Sequence, residues 1–398
     1  MAHPHRVLFA ALAGASVSIL TTTAAFAAPY VQTDLVSDIP GLATITEPTL
    51  VNPWGISHSA TSPFWISDQG TSLTNLWAVT GQTNIMKVTA VNPPTGNIMI
   101  PMTASGPQGP TGQVNNSNTS SFPVGNGGDG GSAHFIFANL NGTISAWDTG
   151  PTAFIQVTPA VGAPTVYSGL AINQAQTLLY AANDAGSGSI NAFNSSFAPA
   201  GLAPGAFATP VAISSRGLVP FNVQDIGGQV YVTYAPSGRA AQLAATAGMG
   251  AVAVFDESGT LLRILINSST SPLAAPWGIA LAPGGFGQFS NDLLIGNFSN
   301  MLSEINAFDP MTGVFLGMIP VDPGSGQTPG GLWALNFGTG GMNGSPNTLY
   351  IADGIDVETH GLFAAITPAA VPEPSTLALL GAGILSVFAS RRRLFARD

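Results

Sequence analysis

The 398-residue chain contains no cysteine, which excludes disulfides, thiolate nucleophiles, cysteine-ligated zinc and an N-terminal lipid anchor. Between residues 28 and 370 only Lys87, Arg216, Arg239 and Arg263 are basic, against seventeen acidic residues, so the surface offers little to a polyanion and nucleic acid is not an expected partner. With 48 glycines and 31 prolines there is room for many turns and few long helices.

The first 27 residues read as a secretory leader. His3, His5 and Arg6 form a weakly cationic start, an apolar stretch follows, and Ala25-Phe26-Ala27 fits a small-x-small cleavage site. The apolar stretch is short for a membrane span. Fold reasoning therefore begins at Ala28, and some 340 residues are ample for a core without disulfides.

A repeat follows, six times over. Each unit opens with a turn and a short apolar strand: P53WGIS, P110TGQV, Y167SGLAI, P220FNVQ, P276WGIAL and G330GLWAL. Taking Gly55, Gly112, Gly169, Asn222, Gly278 and Gly331 as landmarks, the spacings are 57, 57, 53, 56 and 53 residues. A period near 55 marks a repeat architecture. Second strands (F64WISD, F135IFAN, L179YAAN, V230YVTY, L293LIGN, L349YIAD) and third strands (L76WAV, I144SAWD, I190NAF, V252AVFD, I305NAFD, L362FAAI) recur in register. L261LRILI and V314FLGMI supply fourth strands. Short β-rich runs between Gly, Asn and Asp turns read as antiparallel meanders.

The expected fold is all-β: a six-bladed β-propeller of four-stranded antiparallel blades over residues 28–367. The last unit lacks a fourth strand, and Y30VQTDLV36 alternates like one. It is expected to close the ring and remove two open edges. Two β-sandwiches would not explain the constant period. The pattern resembles the NHL-like and lactonase-like propellers.

In such a blade, the start of the inner strand and the end of the second strand share a face. The second strands end in Asp68, Asn139, Asn183, Tyr234, Asn297 and Asp353. Asx residues there can hydrogen-bond their own turn amides, or they can form a polar ring around the channel mouth. If a small-molecule site exists, its candidates are Asn52, Asp68, Asn183, Asp184, Asn297 and Asp353, a carboxylate and amide set suited to cations or neutral hydroxylated ligands.

No cofactor is expected, with calcium the one ion to consider. Asp353, Asp356 and Glu358 are the candidate metal ligands, in an acidic segment that lacks the order of an EF-hand loop. Resemblance to calcium-dependent lactonase propellers would imply ligands beside the inner-strand turns. Those turns carry Asn52, Thr111, Ser168, Asn222, Trp277 and Gly330, without a carboxylate. Asp148, Asp256 and Asp309 read as hairpin turns, and Trp54 and Trp277 as blade packing or a stacking platform.

The chain ends in V371PEPSTLALLGAGILSVFASRRRLFARD398. Pro372, Glu373 and Pro374 precede an apolar run of 16 residues, and Arg391, Arg392 and Arg393 follow. Residues 368–398 thus resemble the PEP-CTERM sorting tail of exported bacterial proteins. That resemblance implies processing by an exosortase after export, a short transmembrane segment held by its arginines until then, and a destination in the cell envelope or extracellular matrix. The whole chain resembles exported PEP-CTERM proteins with this repeat, a likeness that brings a destination and no reaction. A binding or matrix-structural role, touching glycans, exopolysaccharide or envelope proteins, ranks above catalysis. A metal-dependent, lactonase-like hydrolase is the alternative.

Overall fold

The computed structural model describes residues 30–89, 96–104, 106–162, 164–299 and 303–369. The leader, Pro372, Glu373, Pro374 and Arg391, Arg392 and Arg393 lie outside them. The described chain forms six small antiparallel sheets arranged as a six-bladed β-propeller.

Blade 1 runs from its inner strand Pro53–Ser57 through Phe64–Asp68 and Leu73–Thr80 to Asn84–Lys87, with Asn97–Met99 also paired to the third strand. Blade 2 comprises Pro110–Asn115, Phe135–Asn139, Ile144–Trp147 and Phe154–Val157. Blade 3 has Tyr167–Ile172, Leu178–Asn183 and Ser189–Asn194. Only an isolated bridge from Phe193 to Pro199 stands where its fourth strand would be. Pro199, Gly201, Pro204 and Gly205 interrupt any extended run there. Blade 4 is Leu218–Ile226, Gln229–Pro236, Ala251–Asp256 and Leu261–Ile266; blade 5 is Pro276–Leu281, Leu293–Asn297, Glu304–Phe308 and Phe315–Pro320.

Blade 6 takes its first three strands from Leu332–Phe337, Leu349–Asp353 and Leu362–Pro368, and its outer strand from Tyr30–Ser37. Tyr30 pairs with Pro368 and Ser37 with Leu362, with one irregularity between Asp34 and Val36. The N-terminal strand closes the ring, as the unit count requires.

Strand register explains the repeated glycine. Pro53 pairs with Asp68, Pro110 with Asn139, Pro276 with Asn297 and Leu332 with Asp353. Two residues further along each inner strand stand Gly55, Gly112, Gly278 and Ala334. The sixth landmark is therefore Ala334, not Gly331, and the last spacing becomes 56 rather than 53 residues. Gly331 instead occupies a turn with φ +86.

At the true landmarks, neighbouring inner strands touch backbone to backbone. A Cβ at Gly55 would fall 2.5 Å from Thr111 O, and one at Gly112 would collide with Leu170 N. At Gly169 it would strike the Asn222 side chain, and at Gly278 Trp333 O. One residue earlier, the same register carries Trp54, Trp277 and Trp333, while Thr111 and Ser168 bond forward to the next inner strand. Thr111 Oγ1 donates to Tyr167 O at 2.8 Å, and Ser168 Oγ to Phe221 O at 2.7 Å.

The post-third-strand aspartates cap hairpins. Asp309 Oδ1 accepts from Met311 N at 2.9 Å and Thr312 N at 2.7 Å, and Asp256 Oδ1 from Ser258 N and Thr260 N at 2.9 Å each. Asp148 Oδ1 accepts from Thr149 N at 2.8 Å.

Gly112→Ala is expected to destabilise by about 1–3 kcal/mol, the usual cost of overpacking, because backbone atoms of the next blade must move. Urea unfolding at neutral pH measures it. An unchanged midpoint would show that the inner strands are not in contact.

Candidate functional site

The propeller brings the second-strand ends together at one end of its axis, each paired with the start of an inner strand. Most of their side chains stay in their own turns. Asn139 Nδ2 donates to Thr143 Oγ1 at 3.1 Å and Ser145 Oγ at 3.0 Å. Asn183 Oδ1 accepts from Val166 N at 3.0 Å and Ala185 N at 3.2 Å. Asn297 accepts from Ala274 N at 2.9 Å and donates to Pro272 O at 3.0 Å. Asp68 accepts from Asn75 Nδ2 and is fully buried. Of the six channel-mouth candidates, only Asn52 and Asp184 line an open cavity there; Asp68, Asn183, Asn297 and Asp353 do not.

Asp353 is also fully buried, and neither carboxyl oxygen has a hydrogen-bond partner among the described residues. Burial, reinforced by Asp34, pushes its carboxyl up to about 8. The folded state therefore prefers the protonated acid. That preference stabilises fully below the ordinary carboxylate range and is lost as pH climbs towards 8. Asp353→Asn should accordingly flatten the fall in stability between about pH 4 and pH 8, a slope of about 1.4 kcal/mol per pH unit for one such group. Urea midpoints across that range test it; parallel profiles for variant and parent would refute it.

The three metal candidates diverge. Asp353 is enclosed in blade 6. Asp356 Oδ1 accepts from Thr328 N at 2.7 Å and Thr328 Oγ1 at 2.9 Å. Glu358 pairs with Arg239 and accepts from Asn52 Nδ2 at 3.0 Å. Among the described residues no three His, Cys, Asp or Glu side chains are grouped to hold a metal ion. The reason lies in the backbone. Asp356, Val357 and Glu358 all have positive φ, at 53°, 56° and 67°, so the turn fans its carboxylates apart. For a β-branched valine this is an outlier and a store of strain.

That turn aims Glu358 into a cavity of 510 Å³ at the channel mouth, shared with Asn52, Trp54, Asp184, Arg239 and Gln242. Pro107, Leu140, Val166 and Ala185 give it apolar walls. Arg239 and Gln242 come from the short helix Arg239–Leu243, which follows the second strand of blade 4. The Arg239 guanidinium lies 4.1 Å from the ring centre of Phe298, 4.8 Å from Trp333 and 5.2 Å from Trp54. Burial lowers its pKa to about 9, with Asp184 opposing, so it stays cationic at neutral pH.

Gln242 is fully buried. Its Nε2 donates to Asp184 Oδ2 at 3.1 Å, and burial raises the Asp184 carboxyl above its usual range despite that bond. Trp54 stacks on Trp333 at 3.5 Å between ring centres, and Trp333 Nε1 donates to Asn52 Oδ1 at 3.0 Å. Three polar atoms in this lining have no protein partner: Arg239 Nη1, Trp54 Nε1 and Gln242 Oε1.

A second cavity, of 280 Å³, lies along the inner strands towards the other end of the axis. Three of its amides use their nitrogens to hold blades together. Gln113 Nε2 donates to Gly55 O at 2.7 Å, Asn222 Nδ2 to Trp277 O at 2.8 Å and Asn336 Nδ2 to Ile56 O at 3.1 Å. Ser57 Oγ and Gln113 Oε1 in this lining also lack a partner, so both ends of the axis carry unpaired polar atoms, and the mouth beside Arg239 is the one that adds a guanidinium. Arg239, Gln242 and Trp333 were not among the sequence candidates. The available signal for Arg239 was rarity, since it is one of four basic residues between 28 and 370.

Residues 370–393 match the PEP-CTERM protein-sorting motif. A relative, the uncharacterized protein R648 of Acanthamoeba polyphaga mimivirus, is 30% identical over 292 residues. The match covers 69% of this chain and 66% of that protein, just under two thirds of its length. A solved structure of a protein of unknown function from Bacteroides thetaiotaomicron superposes with a TM-score of 0.47 at 10% identity, covering 85% of this chain and 76% of that one. The sorting motif marks an exported protein of the cell envelope that is processed by an exosortase.

Proposed function

We propose that this exported propeller is a binding protein of the cell envelope or its surrounding matrix, and that a hydroxylated ligand, a short glycan segment, occupies the cavity beside Arg239. In this reading residues 1–27 are removed as a leader, residues 28–367 form the binding domain, and residues 368–398 are a transient anchor cut by the exosortase. The observation that carries the ligand class is the set of unpartnered atoms around one cavity: donors on Arg239 and Trp54 and an acceptor on Gln242. Leaving such groups buried and unpaired costs about 1–3 kcal/mol each. All three are shielded from the open cavity as the side chains stand, so a ligand engages them by shifting the lining; a sugar hydroxyl, which both donates and accepts, then answers each of them.

The cavity lies within the roughly 300–1,000 Å³ span of small-molecule sites, and its apolar walls suit the C–H faces of a sugar ring. One guanidinium set against two carboxylates gives no excess positive charge to draw a polyanion. The hydrolase alternative requires a metal-binding carboxylate group, which the described residues do not assemble.

Calorimetry against a panel of neutral two- to four-sugar oligosaccharides tests the reading. Gln242→Leu should weaken the best binder about tenfold, the equivalent of one 1.4 kcal/mol hydrogen bond, measured well below the variant's melting temperature, which falls because Asp184 loses its partner. Equal affinities, or no binding across the panel, would overturn it, as would calcium-dependent lactone turnover by the purified protein.

Processing has its own measurement. Intact mass of the protein taken from native envelope should show a start near Ala28 and no Arg391, Arg392 or Arg393. A native product that keeps those arginines would refute removal of the tail.

A further inference from the structure

The outer strands of blades 4 and 5 differ from those of the other blades. Leu261–Ile266 exposes Leu261, Leu262 and Ile264 at 43, 48 and 37%; Phe315–Pro320 exposes Phe315, Leu316 and Met318 at 45, 44 and 46%. By contrast, the two outer segments of blade 1 show Met86 and Met99, the outer strand of blade 6 shows Val31, and that of blade 2 shows none. The two apolar strands are neighbours, since Arg263 Nη2 of blade 4 donates to Pro310 O in the turn of blade 5 at 3.2 Å. Each also presents an unpaired backbone edge, which exposed strands ordinarily protect with charge or proline.

Strand register places this rim on a definite face. Phe315 pairs with Phe308, Phe308 with Leu293 and Leu293 with Leu281, the end of the blade away from Pro276 and Asn297. Leu261 pairs with Phe255 at the corresponding end of blade 4. Pro368, where the last strand of the propeller ends, pairs with Tyr30 at that same end of blade 6. Tyr30 in turn bonds Phe286 O of blade 5 at 2.7 Å. The chain therefore leaves the propeller beside the apolar rim and on the face opposite the Arg239 cavity.

We infer that the rim of blades 4 and 5 rests on the lipid bilayer while the C-terminal tail is still in the membrane, holding the propeller with its cavity turned outward. The inference rests on the tail acting as a transient anchor, and it adds a surface and an orientation to that reading. Chain length makes the contact close to unavoidable. Five residues, 370–374, separate the described domain from the apolar run of residues 375–390, a reach of about 20 Å when fully extended. A domain tethered so briefly meets the bilayer with the face from which its tail departs, and that face carries the exposed leucines and phenylalanine. Asp256, Asp292 and Asp309 lie in turns on the same face, so apolar contact rather than charge drives the docking, and anionic lipid opposes it.

The absence of cysteine makes the test direct. Full-length chain carrying a single fluorescent label at Leu316→Cys, at Leu262→Cys or, on the cavity face, at Ser237→Cys is reconstituted into phosphatidylcholine vesicles that contain a nitroxide-bearing lipid. Labels at 316 and 262 should be quenched several-fold more than the label at 237, and phosphatidylglycerol should reduce the difference. Equal quenching at 316 and 237 in chain that floats with vesicles would overturn the inference while leaving the tail anchor intact. Chain that does not float with vesicles would remove both. Shielding of the label at 316 that depends on protein concentration without vesicles would assign the rim to a second copy instead.

Discussion

Six inner strands must share one narrow axis, and contact between their backbones is the constraint from which the remaining structure follows. Where neighbouring strands meet, Gly55, Gly112, Gly169 and Gly278 leave no space for a Cβ. That crowding fixes the repeat length, because each unit must deliver its small residue to the same height. It also determines what can lie above. The next position is free to carry an indole, and Trp54, Trp277 and Trp333 converge there. Three units decline the option with Thr111, Ser168 and Phe221, since six indoles around one axis would not fit a core packed at the density of organic crystals.

The aromatic cluster in turn makes the candidate site. A guanidinium taken from water needs partners, and Arg239 finds them in three ring faces and one carboxylate. Glu358 reaches it only because residues 356–358 accept left-handed backbone, at a cost of about 1–3 kcal/mol for each such residue. A structural plug alone would not require Arg239 Nη1, Trp54 Nε1 and Gln242 Oε1 to be left unpaired around a cavity. Strain at residues 356–358 and three unpaired polar atoms coincide at this cavity, although unpaired buried atoms also occur elsewhere in the domain. The guanidinium and the strained turn set this end of the axis apart from the other, where amide nitrogens hold the blades together.

Architecture was legible in the sequence because it depends on periodicity, and periodicity survives substitution. The six units, their strand order and the closing role of residues 30–36 could all be read from spacing and alternation. The errors were local. Gly331 was taken as the sixth landmark because a glycine stood within three residues of the expected place; pairing of Leu332 with Asp353 moves the position to Ala334 and brings Trp333 into line with Trp54 and Trp277. The Asx ring was placed at the correct end of the axis, but side-chain direction is decided by turn hydrogen bonds invisible to a count of residue types. Arg239 and Gln242 lie on a short helix outside the repeat, and a pattern that searches for recurrence passes over what occurs once.

The two faces of the propeller therefore obey different rules. Loops on the cavity face are free to depart from the repeat, and it is there that blade 4 adds a helix and blade 6 a strained turn. The opposite face combines hairpins capped by Asp256 and Asp309, whose side chains serve their own backbones, with long connections at 116–134, 282–292 and 338–348. The outer strands vary as well, and in blades 4 and 5 they vary towards apolar residues where solubility alone would favour polar ones. In a chain with four basic residues between 28 and 370, exposed leucine and phenylalanine cannot be offset by a field of mixed charges. Under the proposed tail anchor, their placement beside the departing chain gives them a use while the propeller is held within a few residues of a membrane. The same six-fold frame thus separates the Arg239 cavity at one end from an apolar-rimmed end beside the departing chain at the other, and the direction in which each strand runs assigns every residue to one or the other.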